Sequence, residues 1–170
     1  LYGVTGSGKT AVFLHVIRHV LTAGKGVIVT VPEISLTPQT LAVFTAAFGD
    51  TVAVFHSGLS VGERMDEWKR VRTGRAKIVV GTRSAVFAPV QNLGLIVMDE
   101  EQESTYKSES TPRYHARDIA KFRVNYNRAY CLLCSATPSV ESYYMAQSGK
   151  YRYHALHHRY GDAVVPTVQL

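Results

Sequence analysis

"GVTGSGKT", Gly3 to Thr10, decides how the rest of the chain is read. It matches the phosphate-loop pattern G-x-x-x-x-G-K-[ST]. Glycine reaches backbone angles that other residues avoid, so such a loop can turn successive N–H groups inward and form an anion nest. The helical period from Lys9 to Ala23 would aim its positive N-terminal end at the same point. Gly3, Val4, Thr5, Gly6, Ser7, Gly8, Lys9 and Thr10 are therefore the candidate ATP-binding residues. Lys9 can reach the β- and γ-phosphates, and the Thr10 hydroxyl can hold Mg²⁺. Only Leu1 and Tyr2 precede the loop, so the first strand is expected to be truncated and the chain to be a piece of a longer protein.

A phosphate loop needs a partner, and "LIVMDEEQEST", Leu95 to Thr105, supplies a candidate. An apolar run passes straight into Asp99, Glu100 and Glu101. Adjacent like charges raise each other's proton affinity. A divalent cation would offset that repulsion, and Mg²⁺ prefers oxygen ligands. Nucleotide-hydrolysing sites place an Asp at a neighbouring strand end to hold the ion. Asp99 is expected to hold Mg²⁺ with Thr10, and Glu100 to orient or deprotonate the attacking water. Lys9, Asp99 and Glu100 are thus the candidate catalytic residues, with ATP and Mg²⁺ as expected cofactors. A solvated acidic loop is the alternative, and the phosphate loop in the same chain weighs against it.

Short Val- and Ile-rich runs alternate with segments of helical period. Candidate strands are 26–31, 51–56, 76–81, 93–99 and 129–135. Several are apolar throughout, as parallel strands covered on both faces are. Candidate helices are Lys9–Ala23, Thr37–Phe48, a third beginning after the Ser60/Glu63 capping box, Ala116–Asn125 and Ser139–Gln147. The third carries an apolar stripe of Val61, Met65, Trp68 and Val71, which places Trp68 in the core. The pattern predicts an α/β fold, a mostly parallel sheet with helices on both faces. Residues 1–150 form one domain, and 151–170 read as an exit strand or linker toward a missing part.

The 170 residues carry 19 Lys and Arg against 13 Asp and Glu, a net charge of +6, which permits a polyanionic partner without demanding one. Two cysteines cannot build a disulfide framework, so a cytoplasmic location is expected. No apolar run is long enough to span a bilayer, and no membrane partner is expected. Cys131 and Cys134 suggest a metal knuckle, but three residues apart on a strand they face opposite sides and lack a second pair. His15 and His19, at i and i+4, read as a polar helix face. His154, His157 and His158 read as part of the linker.

Further landmarks follow in order: "VPEISLTPQ" (31–39), "FHSGLS" (55–60), "GTRSAVFAP" (81–89), "DEEQ" (99–102), "PRYHARDIA" (112–120) and "SATPS" (135–139). Together with the phosphate loop they resemble the first, RecA-like motor lobe of superfamily 2 helicases, and more narrowly the PriA family of primosomal, replication-restart helicases. The resemblance runs from Tyr2 to about Tyr144. It implies an ATP-driven motor moving 3′ to 5′ on single-stranded and forked DNA, with primosome and single-strand-binding proteins as partners. By the same resemblance "SATPS" couples hydrolysis to strand separation through Ser135 and Thr137. "GTRSA", with Thr82, Arg83 and Ser84, lines the DNA path. Hydroxyls and an Arg suit phosphate contacts, which position without reading sequence. Tyr106 and Tyr114, among basic residues after the acidic motif, offer stacking surfaces for single-stranded bases.

The family form of the acidic motif is Asp-Glu-x-His, and Gln102 stands where the His is expected. Gln offers both a donor and an acceptor but cannot titrate, so a hydrogen-bonded coupling role survives and a proton-linked one does not. The family's zinc is held by a cysteine cluster in a part of the protein outside this sequence. Its second lobe, which supplies an arginine to the transition state, is also outside it, so the isolated chain is expected to unwind nothing. Two other readings stand beside this one. One is a different superfamily 2 motor, an RNA helicase or restriction-type translocase. The other is a non-catalytic nucleic-acid-binding module with a relic nucleotide site.

Overall fold

The computed structural model describes residues 1–159. In chain order the elements are β1 (Tyr2–Gly3), α1 (Lys9–Thr22), β2 (Gly26–Thr30), α2 (Pro38–Phe48), β3 (Val52–Phe55), α3 (Val61–Arg72), β4 (Ile78–Gly81), β5 (Leu93–Met98), α4 (Ala116–Asn127), β6 (Tyr130–Leu133), α5 (Val140–Gln147) and β7 (Ala155–Leu156). Short 3₁₀ turns at Glu33–Ser35, Arg83–Phe87 and Ser104–Tyr106 join several of them.

Five strands form a parallel sheet in the order β3-β4-β2-β5-β6. Every residue of β2, β4 and β5 is buried, which is why these runs carry no polar alternation. β1 pairs in parallel with β7, and a bridge from Tyr2 to Ser135 carries β1 alongside the end of β6. Residues 155 and 156 of the expected exit segment therefore lie in a strand, and 160–170 fall outside the described residues.

Successive strand side chains point to opposite faces, and each face has its own core. On one, Val27, Val29, Ile78, Val80, Leu95 and Val97 meet Phe13 and Ile17 of α1 and Phe44 of α2. Phe13 and Phe44 stack with ring centroids 6.1 Å apart. On the other, Ile28, Val79, Ile96 and Met98 meet Val71 of α3 and Ala116 and Ala120 of α4. Cys131 packs with the second core and Cys134 with the first. Burial pushes each thiol up to about 12. They are packing residues on opposite faces.

The capping box forms as expected: Ser60 accepts from Glu63 N–H and Glu63 from Ser60 N–H. The stripe behind it does not pack as expected. Val61 is 82% exposed and Met65 49%, and only Val71 is buried. Trp68 is half-buried, with the Arg72 guanidinium 4.9 Å above its ring. The reason is position: α3 rides on the edge strand β3 and overhangs it. Polar bonds do the docking instead. Val54 N–H donates to Glu67 (2.9 Å), and Arg70 donates to the carbonyl oxygens of Asp50 (2.6 Å) and Val52 (3.2 Å). His15 and His19 are exposed, as a polar face requires, and so are His154, His157 and His158.

Candidate nucleotide site and its coupling network

In a parallel sheet the carboxyl ends of the strands share one edge, and ligand crevices form there. Here that edge carries the acidic residues after β5 and "SATPS" after β6. The phosphate loop after β1 joins them through the Tyr2–Ser135 bridge.

The loop turns because Gly6 and Gly8 take positive φ angles of 79° and 88°. Any other residue would be strained there. Gly8 leads directly into α1, and no side chain caps that helix end. Its free N–H groups therefore face the loop. A cavity of about 450 Å³ opens at this point, lined by Thr5 through Ala11 and by Asp99 and Glu100. Gly3 and Val4 sit behind it: the Lys9 ammonium donates to the Gly3 carbonyl at 2.6 Å and more weakly to that of Val4 at 3.5 Å. Lys9 is 9% exposed, so a cation stands buried at the cavity wall. A larger cleft of about 1160 Å³, beside β6, is lined by Glu101 and Ser135 among others and shares no lining residue with this cavity.

Asp99 faces Lys9 across the cavity. Burial, and then the Glu100 charge, raise its carboxyl to about 6, against the opposing pull of the Glu100 N–H and of Lys9. Glu100 is in the left-handed backbone region, at φ 45°. Non-glycine residues seldom sit there, and such outliers concentrate at functional sites. The donor set suits a hard cation: a carboxylate made costly by burial and repulsion, with the Thr10 hydroxyl on the same cavity. The buried Ser7 hydroxyl has no hydrogen-bond partner, which suits a loop built to meet an anion's oxygens. Asp99 and Thr10 could hold Mg²⁺, and the loop N–H groups and Lys9 could hold a nucleotide's phosphates.

Gln102 joins this cavity to "SATPS". Its amide N–H donates to Glu100 at 3.0 Å, and its carbonyl oxygen accepts from the Ser135 hydroxyl at 2.6 Å. Ser135 in turn accepts from Thr137 N–H at 2.8 Å. The four residues make one chain of hydrogen bonds. Thr137 enters it through its backbone, and its side chain is exposed.

The expected DNA contacts are only partly gathered. Thr82 is 5% exposed and Ser84 is open to solvent. The Arg83 guanidinium donates to the carbonyls of Thr105 (3.2 Å) and Lys107 (2.6 Å) and lies 5.9 Å over the Tyr114 ring. Phe87, 54% exposed, meets Tyr114 edge-on at 5.0 Å. Sequence reasoning had passed over Phe87, although it lies within "GTRSAVFAP". Tyr106 must be corrected. It is 1% exposed, and its hydroxyl reaches the carbonyls of Thr30 (2.9 Å) and Asp99 (2.6 Å). A ring sealed in the core has no face to offer a base, so Tyr106 supports the acidic motif from behind. Glu101, given no role by sequence, is 2% exposed and paired with Arg117 at 3.0 Å. Nothing in the local pattern marked that pair, which spans 16 residues.

With this geometry in hand, three comparisons bear on the chain. The model of the family described as DEAD/DEAH box helicase matches residues 1–146. The replication restart protein PriA of Bacillus subtilis (strain 168) is 52% identical over the whole chain, which spans 21% of that protein. The protein of the same name from Synechocystis is 52% identical over 85% of the chain, spanning 17% of that protein. The chain thus covers about a fifth of the length of these relatives. Among solved structures, the helicase domain of Pyrococcus furiosus Hef superposes with a TM-score of 0.65 over 92% of the chain and 34% of that structure, at 18% identity. That likeness is one of fold, and it is the RecA-like lobe expected from the sequence.

Proposed function

This chain belongs to the DEAD/DEAH box helicase family, and from that premise we propose that it is the first motor lobe of an ATP-dependent 3′-to-5′ DNA helicase acting in replication restart. The cavity that brings Lys9, Thr10, Asp99 and Glu100 together carries the reading. Residues 1–150 are the lobe, β7 at 155–156 adds to it beside β1, and a second lobe belongs to the parent protein. The likeness to replication restart proteins over the whole chain supports the choice of DNA over RNA.

The work is divided among named groups. Within the loop from Gly3 to Thr10, the free N–H groups that line the cavity and the buried Lys9 ammonium hold phosphate oxygens, with Gly3 and Val4 behind them. Thr10 and Asp99 hold Mg²⁺, which when bound supplies positive charge to the phosphate oxygens. Glu100 orients water and takes its proton. Gln102 links Glu100 to Ser135, so the position of "SATPS" and the position of the general base are one variable. Ser84, Tyr114 and the Arg83 charge, with Thr82 behind them, form part of the single-strand path, and phosphate contacts there make binding salt-dependent. Primosome and single-strand-binding proteins are the expected partners, with zinc held elsewhere in the parent. The isolated chain lacks a second lobe's arginine and is expected to hydrolyse ATP slowly and unwind nothing.

The test uses the full-length parent. Lys9→Ala and Glu100→Gln should each lower DNA-stimulated ATP hydrolysis by roughly a hundredfold or more, as loss of a charge-stabilising or proton-accepting group does. Unwinding should require a 3′ single-stranded tail, and RNA should not stimulate turnover. Full hydrolysis in Lys9→Ala, or equal stimulation by RNA, would overturn the reading.

A further inference from the structure

Glu101 is a buried carboxylate that the proposed chemistry does not use. It accepts four hydrogen bonds: from Arg117 Nη1 (3.0 Å), Ser139 N–H (2.8 Å), the Ser139 hydroxyl (3.2 Å) and the Ser142 hydroxyl (3.0 Å). Arg117 also donates to the hydroxyls of Ser139 (2.7 Å) and Ser142 (3.1 Å). The Glu101 side chain is 1% exposed and that of Arg117 14%. A buried, multiply bonded pair is stiff, because removing either partner leaves a charge stranded away from water.

The three elements it joins have different duties. Glu101 stands between Glu100, on the nucleotide cavity, and Gln102, which holds Ser135 at the start of "SATPS". Ser139 ends that segment and caps α5 by accepting from Ser142 N–H. So consecutive residues of the acidic motif grip the two ends of "SATPS": Gln102 by a neutral link, Glu101 by a charged one. Arg117 lies in the first turn of α4, whose cap, His115, accepts from Arg117 N–H and bridges to Lys107. Tyr114, beside Arg83 and Phe87, immediately precedes that cap. A displacement of the Tyr114 segment therefore moves the first turn of α4, and with it Arg117.

We propose that Glu101 and Arg117 are a positioning pair through which nucleic acid held at the Tyr114 surface sets the alignment of Glu100 and "SATPS". Neither residue lines the nucleotide cavity. The pair makes three separately encoded segments move as one body, so that occupancy on one side reaches the general base on the other. This inference rests on the proposed helicase function, since it needs both a nucleotide and a strand to be bound.

The experiment compares the full-length parent with Glu101→Gln and Arg117→Lys, variants that keep hydrogen-bonding groups in place. ATP hydrolysis is measured with and without single-stranded DNA, alongside DNA affinity and thermal melting. In each variant, stimulation by DNA should fall about tenfold, within the usual range of coupling between sites. The DNA-free rate and the DNA affinity should stay within about twofold, because neither residue lines the nucleotide cavity or belongs to the Tyr114, Arg83 and Phe87 cluster. The double variant should be no worse than the worse single one, since one link is being cut twice. Ser142→Ala removes a single hydroxyl from the same carboxylate and serves if a charge variant does not fold; it should weaken stimulation about threefold. Unchanged stimulation in folded variants overturns the inference and leaves the helicase function intact. Equal losses with and without DNA also overturn it, since they mark a pair that only holds the fold. A parent that DNA does not stimulate at all overturns the proposed function and the inference with it.

Discussion

Tyr106→Phe separates a core role from a DNA-binding one by a single oxygen atom. The wild-type hydroxyl reaches two backbone carbonyls, those of Thr30 and Asp99. Thr30 oxygen keeps another donor, the Asp99 N–H at 2.9 Å, after the change. The Asp99 carbonyl does not. The loss is then one hydrogen bond, about 1 kcal/mol net, plus about 1 kcal/mol for a partly buried carbonyl left unpaired. A total near 2 kcal/mol corresponds to roughly 4–8 °C in melting temperature for a domain of this size. In urea it should move the midpoint by about 1 M. Cavity formation adds little, because the ring remains. Single-strand affinity of the parent should stay within about twofold, since the ring is sealed from solvent. Tyr114→Ala should weaken single-strand binding by the roughly 1–3 kcal/mol of a stacked base, alongside some loss of packing where its ring meets the core. An unchanged urea midpoint in Tyr106→Phe, with weakened DNA binding, would refute this placement of the ring.

Two further outcomes follow from the cap of α4 and from Gln102. Burial, with the Arg117 charge, holds the His115 imidazole below its ordinary value. The folded chain thus binds fewer protons there than the unfolded one, and its stability is present above the unfolded value of about 6.5 and lost as pH falls through the folded one. Urea titrations from pH 8 to 5 should show that loss, and His115→Asn, which keeps an acceptor at the cap, should flatten it; an unchanged slope would exonerate His115. Gln102→His should retain DNA-stimulated hydrolysis near pH 8, where a neutral ring offers one donor and one acceptor. It should lose it below about pH 6.5, where the ring can no longer accept from Ser135. Gln102→Leu should lose coupling at every pH, and a Leu variant with wild-type stimulation would remove Gln102 from the pathway.

The parts legible in the sequence were those with a short-range cause. "GVTGSGKT" needs glycines where the backbone turns left-handed, and Gly6 and Gly8 turn that way. Continuous Val and Ile runs mark strands buried on both faces, and β2, β4 and β5 are buried in full. Capping at Ser60 is a matter of three residues and was readable in them. The α3 stripe had the right period and misled, because periodicity says which residues share a face and not whether that face meets a sheet or overhangs its edge.

What only the tertiary structure decided lies in contacts between distant segments. Tyr106 and Thr30 are separated by 76 positions, Glu101 and Ser142 by 41, Gln102 and Ser135 by 33. A tyrosine among basic residues reads the same whether it faces solvent or the core, and a third carboxylate in "DEE" reads as one more charge. The sheet order, by setting β5 beside β6 and β6 beside the phosphate loop, turned Glu101 into a buried anchor and Tyr106 into a prop beneath Asp99. The residue types and their local spacing thus marked the phosphate loop and the acidic strand end that line one cavity. Which of its neighbours are rigid, which are exposed and which are joined was settled by packing, because burial and long-range hydrogen bonding have no local signature in the chain.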